Sequence, residues 1–422
     1  MTKAQPSESR ARRKRGLRAV AVCAALLTNL LITVLPAQAA PSRVPAAHPA
    51  RMRLPVPTGR FHVGEVTLHL ADTSRRDPWH PGKDDRELMV SVYYPTTRTA
   101  DRPAAPYMLP RAAAHFDSVT ANDYLGMDLP TGRADWAATV THAAQGAPVA
   151  HGDRKRPVLL YSPGLGEPRT WGTTSAADLA SRGYVVVTID NTYESPEVQF
   201  PDGSLATMVT PDDPDAFIRK ALTVRDADTS FVLDQLGWVN SGRNPDVDGR
   251  SLPHGLAGAL DLSRVGMFGH SLGGTATATA MDADPRIRAG INMDGNLTHY
   301  DGTLMPVAER GLARPLLLMG KDGATDTGPG WAAFRAHTPG WTRQLRLRGA
   351  EHASFTDAEA LLPQLDLPPG TLTRDIGTIA PATAVRTNEA YVSAFFDHWL
   401  RGTHDHLLDG PSPRYPAMEF VE

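Results

Sequence analysis

Beyond residue 156 the apolar residues of this chain come in short blocks separated by stretches of helical spacing. Blocks at 158–161, 184–189, 265–268, 287–293, 315–319 and 344–347 read as buried strands. Between them the spacing predicts helices near 175–182, over 214–236, 274–281 and 331–337, and a final amphipathic helix over 385–400. Such alternation predicts an α/β architecture, a mainly parallel sheet with helices on both faces. Two earlier runs, 63–70 and 88–94, flank a polar segment and predict an antiparallel start to the same sheet. Residues 97–156 have no sustained period and many Pro, Ala, Gly and His. They are expected to form an insertion over one end of the sheet that shapes a pocket, together with the loop 193–213.

The N-terminus has a different pattern. A basic stretch with Arg10, Arg12, Arg13, Lys14, Arg15 and Arg18, an apolar run over 19–35, and Ala37-Gln38-Ala39 follow the three-part layout of a secretory signal peptide. The expectation is a signal over 1–39, cleavage near Ala39 and a secreted protein. Residues 40–57, rich in Pro, Ala and Arg, read as an extended lead-in, with order beginning near Gly59 and a single domain over 58–422. The only cysteine, Cys23, falls in the signal, which excludes thiol nucleophiles, disulfides and thiolate metal sites from the mature chain. A net charge of -3 with both signs interspersed excludes nucleic acid as the main partner and leaves a neutral or amphipathic substrate. No stable protein partner is implied.

Chemistry concentrates at Gly269-His270-Ser271-Leu272-Gly273, which fits the G-x-S-x-G nucleophile elbow between a strand and a helix. A serine on that turn is pushed out at the top of the sheet, and the Leu272 amide at the helix N-terminus can bind an oxyanion. The elbow predicts an α/β-hydrolase fold with triad order serine, acid, histidine. His352 lies just after the last predicted strand and is the candidate base, whereas His398 is on the final helix and His404 and His406 are in the tail. Two sites offer the acid, Asp294 after one strand and Asp322 after the next, with Asp326 just beyond; spacing leans towards Asp322. Ser162-Pro163-Gly164-Leu165-Gly166 supplies a second oxyanion donor, the Leu165 amide. A dinucleotide-binding G-x-G-x-x-G fails there, because Arg169 holds the third glycine position. His404 and His406 have no further ligand at suitable spacing, so neither metal nor cofactor is expected.

These motifs have company. Leu54-Pro55-Val56-Pro57-Thr58-Gly59, Arg86-Glu87-Leu88-Met89-Val90 leading to Tyr93-Tyr94-Pro95, and Phe231-Val232-Leu233-Asp234-Gln235-Leu236 surround the oxyanion loop and the elbow in order. With Arg286-Ile287-Arg288-Ala289-Gly290-Ile291-Asn292-Met293-Asp294, and His352 followed by Phe355 and Asp357, the chain resembles the plasma-type platelet-activating factor acetylhydrolase family and its secreted bacterial relatives. The resemblance implies an α/β-hydrolase that cleaves carboxylic esters through an acyl-enzyme, without a cofactor. It also implies Asp294, not Asp322, as the acid. Lipid-like or short-acyl esters are the expected substrates and a lipid interface the expected setting. The alternatives are a cutin-type polyester hydrolase and a non-catalytic secreted binding protein on the same scaffold.

Overall fold

In the computed structural model, residues 48–422 are described, except 84, 153, 324–327 and 422. The predicted signal segment with Cys23, residues 40–47 of the lead-in, and Asp326 therefore lie outside the described residues. The strands are β1 His62–Asp72, β2 Arg86–Thr96, β3 Ala143–Gln145, β4 Arg156–Ser162, β5 Val185–Asp190, β6 Glu197–Gln199, β7 Leu205–Thr207, β8 Leu260–His270, β9 Ile287–Met293, β10 Leu316–Gly320, β11 Thr342–Leu347 and β12 Met418–Val421. Ten of them form one sheet in the order β12-β11-β10-β9-β8-β4-β5-β2-β1-β3, and β6 pairs with β7 in a separate hairpin. From β5 to β11 the neighbours run parallel, while β2 is antiparallel to both β1 and β5 and β12 is antiparallel to β11. This is the arrangement of an α/β-hydrolase.

Side chains alternate across the sheet, so one strand feeds two cores. Val158 and Leu160 of β4, with Val265 and Met267 of β8, pack under helices Pro214–Asn240 and Leu272–Ala283. Leu159, Tyr161 and Phe268 point the other way, to helices Thr173–Ser181 and Pro381–Arg401. Each such fully buried side chain contributes about 1.5–3 kcal/mol. Gly266 lets the two layers meet, since a Cβ there would come 2.6 Å from the Phe396 ring. The long helix Pro214–Asn240 starts where the sequence dictates: Asp213 accepts the N–H groups of Asp215 and Ala216 at 3.0 and 3.1 Å, and Pro214 needs no donor at the first position.

Order begins earlier than Gly59, contrary to expectation. Met52 and Leu54 are 0% and 3% exposed, packed in a third cluster with Tyr107, Phe116, Trp136, Trp171 and Leu361. Two backbone bonds hold this stretch in place, Leu54 N–H to Val140 and Val140 N–H to Met52. Pro-rich composition hid two apolar anchors that need a partner segment, residues 97–156, to show their burial.

Candidate active site

The elbow is built by close approach. Ser271 has φ 53° and ψ -124°, a left-handed conformation that non-glycine residues rarely adopt. A Cβ on Gly273 would lie 1.9 Å from the Ser162 carbonyl oxygen, so only glycine lets the elbow helix sit against β4. The strained turn is held by its own backbone: the Ser271 carbonyl accepts from Gly274 and Thr275 at 2.8 and 3.1 Å, and the Ser271 N–H donates to Met293 at 2.8 Å.

Asp294 follows β9 and is also left-handed, φ 57°. Its Oδ2 lies 2.5 Å from His352 Nδ1, and its Oδ1 accepts the Lys321 N–H at 3.1 Å. Burial would raise the Asp294 pKa, but the His352 hydrogen bond and charge, with the Lys321 amide, hold it below the ordinary carboxylate value. His352 starts a short 3₁₀ turn, His352–Phe355, fixed by reciprocal bonds between Glu351 and Ser354. Asp322, the choice by spacing alone, does not reach the imidazole; its carboxylate caps the loop by accepting the Gly349 N–H at 2.9 Å.

Ser271, Asp294 and His352 line one cavity of about 340 Å³, together with Leu165 and Leu272. The N–H groups of Leu165 and Leu272 donate to no group among the described residues, which leaves both for a ligand. The rest of the lining is Ile218 and Thr275, the segment with Asn296, Thr298, His299, Tyr300 and Met305, and Lys321. No described residue of 97–156 or 193–213 lines it. The first of these segments reaches the oxyanion loop instead, with the Tyr124 Cβ 3.1 Å from where a Cβ of Gly166 would stand. Both segments border a separate cavity of about 100 Å³ lined by Tyr107, Gln145, Glu197 and Gln199.

Three supporting residues escaped the sequence reading. Arg225, fully buried, donates to Ser162 Oγ at 3.2 Å and to the Pro163 and Gly164 carbonyls at 2.5 and 3.4 Å, while Glu194 neutralises it at 2.8 Å. Its signal was present: an arginine in the buried stripe of Ile218, Ala221, Leu222, Val232 and Leu236 has to find a buried partner. Glu167 accepts the Gly164 N–H at 2.7 Å and faces His270 Nδ1 at 2.8 Å. His270 in turn donates from Nε2 to the His352 carbonyl at 2.8 Å. Burial lowers the His270 pKa, but the Glu167 carboxylate, Asp294 and the His352 carbonyl outweigh it and raise it. One chain of bonds thus joins the oxyanion loop, the elbow and the histidine turn.

Comparison with known proteins agrees with this geometry. Residues 46–401 match the family model for platelet-activating factor acetylhydrolase, isoform II. The chain belongs to this family. A relative from Arthroderma benhamiae, described as a probable 1-alkyl-2-acetylglycerophosphocholine esterase, is 30% identical over 94% of this chain and 100% of its own length. The platelet-activating factor acetylhydrolase of Canis lupus familiaris is 23% identical over 74% of this chain and 70% of its own. Among solved structures, a ferulic acid esterase from Streptomyces cinnamoneus superposes with a TM-score of 0.70 at 34% identity, over 88% of this chain and 100% of that one. As a member of the family, the protein is a carboxylic ester hydrolase.

Proposed function

We propose that Ser271 is the nucleophile of this esterase, His352 its general base and acid, and Asp294 the group that orients the imidazole. The observation that carries this reading is the 2.5 Å contact between Asp294 Oδ2 and His352 Nδ1 in the cavity that Ser271 lines. His352 takes the hydroxyl proton as Ser271 attacks the ester carbonyl, and Asp294 stabilises the imidazolium. The Leu165 and Leu272 amides bind the oxyanion, each contributing about 10²–10³ in rate. The alcohol leaves with the proton from His352, and water, activated by the same ring, releases the acid.

Short-acyl esters with a lipid-like alcohol fit the apolar part of the lining, Leu165, Ile218, Leu272 and Met305, and are the substrates that the Arthroderma relative's description favours. Feruloyl esters are the second reading, carried by the 34% identity to the ferulic acid esterase. The basic stretch, the apolar run and Ala37-Gln38-Ala39 support export, so protein recovered from the medium should begin near Ala40. A fluorophosphonate should label the protein at Ser271, and Ser271→Ala should lose both labelling and turnover. Acetylated phospholipid, presented as monomers and in vesicles, and methyl ferulate then decide the acyl group and whether a lipid surface helps. Labelling that survives Ser271→Ala would sink the assignment.

A further inference from the structure

Away from the Ser271 cavity, the tail between helix Pro381–Arg401 and β12 gathers three imidazoles and a carboxylate. His404 Nε2 and His406 Nδ1 both face one oxygen of Asp409, Oδ2, at 3.1 and 2.8 Å. Ligand atoms of these three exposed residues all lie within 4.8 Å of one another. Behind them His398, in the last turn of the helix, sets its Nδ1 2.8 Å from Nδ1 of His404. Sequence spacing gave His404 and His406 no third ligand; the fold supplies Asp409.

The short contact between Nδ1 of His398 and Nδ1 of His404 orients the His404 ring and turns its Nε2 towards Asp409. His404 Nε2 and His406 Nδ1 stand 3.1 and 2.8 Å from the same Asp409 oxygen, contacts that a proton on each ring nitrogen satisfies when no ion is bound. A cation that takes the place of those protons is bound by the same three donors. A tetrahedral zinc ion with bonds of about 2.0–2.2 Å keeps its donors roughly 3.3 Å apart, close to the separations already present for both imidazole–carboxylate pairs. Neutral imidazole is also the form that binds metal, and a ring whose far nitrogen donates to a neighbour is oriented as metal-bound histidines are.

We propose that His404, His406 and Asp409 form a binding site for a divalent transition-metal ion of the zinc type, with His398 orienting His404. Two imidazoles and one carboxylate are borderline donors that select such ions over calcium and magnesium. Water completes the coordination. The ion fastens the tail just before it runs into β12, the antiparallel edge strand beside β11, and it touches none of the groups around Ser271.

The test is a Zn²⁺ titration of the untagged protein by calorimetry, paired with thermal unfolding. One Zn²⁺ per chain is expected, with a rise in Tm that excess Ca²⁺ neither reproduces nor prevents. Joint substitution His404→Ala with His406→Ala should weaken binding at least 100-fold and abolish the rise, and His398→Ala should weaken it about tenfold. Ester turnover should be unchanged in each variant, which separates a lost ion from a lost fold. No saturable Zn²⁺ binding, undiminished affinity in the double variant, or equal affinity for Ca²⁺ would overturn the proposal.

Discussion

Two aspartates close successive strands of the sheet, and their surroundings give them different work. Asp294 bends left-handed after β9 and meets His352; Asp322 follows β10 and caps the loop at Gly349. Asp294→Asn should present the wrong tautomer of His352 and lower kcat about 10⁴-fold, whereas Asp322→Asn should stay within a few-fold of the parent in the same steady-state assay. A comparable loss in both would remove Asp294 from its role. Glu167 offers a finer probe, because its carboxylate holds both Gly164 N–H and His270. Glu167→Gln keeps the shape but loses the charge, so a hydrogen bond to a charged group worth about 1.5–3 kcal/mol weakens. The expected result is a kcat reduced about tenfold with KM nearly unchanged, since the bond braces reacting groups and does not touch the cavity wall. A change confined to KM would contradict that.

At the scale of elements, the histidine turn leads straight into helix Ala358–Leu361, which carries an unusual carboxyl. Glu359 is fully buried, and neither of its oxygens has a hydrogen-bond partner among the described residues. Desolvation pushes its pKa up to about 8 from 4.5. The sign follows: the folded state holds a proton that the unfolded state releases, so this group costs the fold nothing below about pH 4.5 and destabilises it increasingly as pH rises towards 8. Glu359→Gln removes this dependence, and thermal melts should show it equal to the parent near pH 5 and more stable at pH 9, by on the order of 4 kcal/mol. Equal melts at both pH values would mean that Glu359 finds a partner. Elements of this kind explain what the sequence could not disclose. Apolar blocks located β4, β5 and β8 to β11, although β8 begins at Leu260 and not at Val265 because its first residues are half-polar. The short edge strand β12, the hairpin β6–β7 and the helix Pro110–His115 have too few residues for any period to emerge. The contact of Asp294 with His352 was legible only through family resemblance, because choosing between two strand-end aspartates depends on where the histidine turn folds back.

For the whole molecule, the decisive feature is that segments far apart in sequence share one small core beside the site. Met52 and Leu54 from the lead-in, Tyr107 and Phe116 from the insertion, Trp171 after the oxyanion loop and Leu361 after His352 pack in a single cluster. Its polar seams are equally long-range: Gln364 accepts the Arg53 N–H at 2.9 Å and donates back to the Arg53 carbonyl at 2.7 Å. Asp357 accepts the Thr174 N–H at 3.0 Å, tying the histidine segment to helix Thr173–Ser181. Residues 48–57 of the lead-in therefore belong to the folded body and brace the face that carries both the 162–166 loop and His352. Removing one anchor leaves a cavity that these fixed neighbours can only partly fill. Met52→Ala should cost about 2–5 kcal/mol, seen as a lower urea midpoint, and should make ester turnover more heat-sensitive while leaving kcat at 25 °C nearly intact. A midpoint equal to the parent's would show that the lead-in merely rests on the surface, and a kcat that fell without a change in stability would mean that the cluster acts directly on the reacting groups.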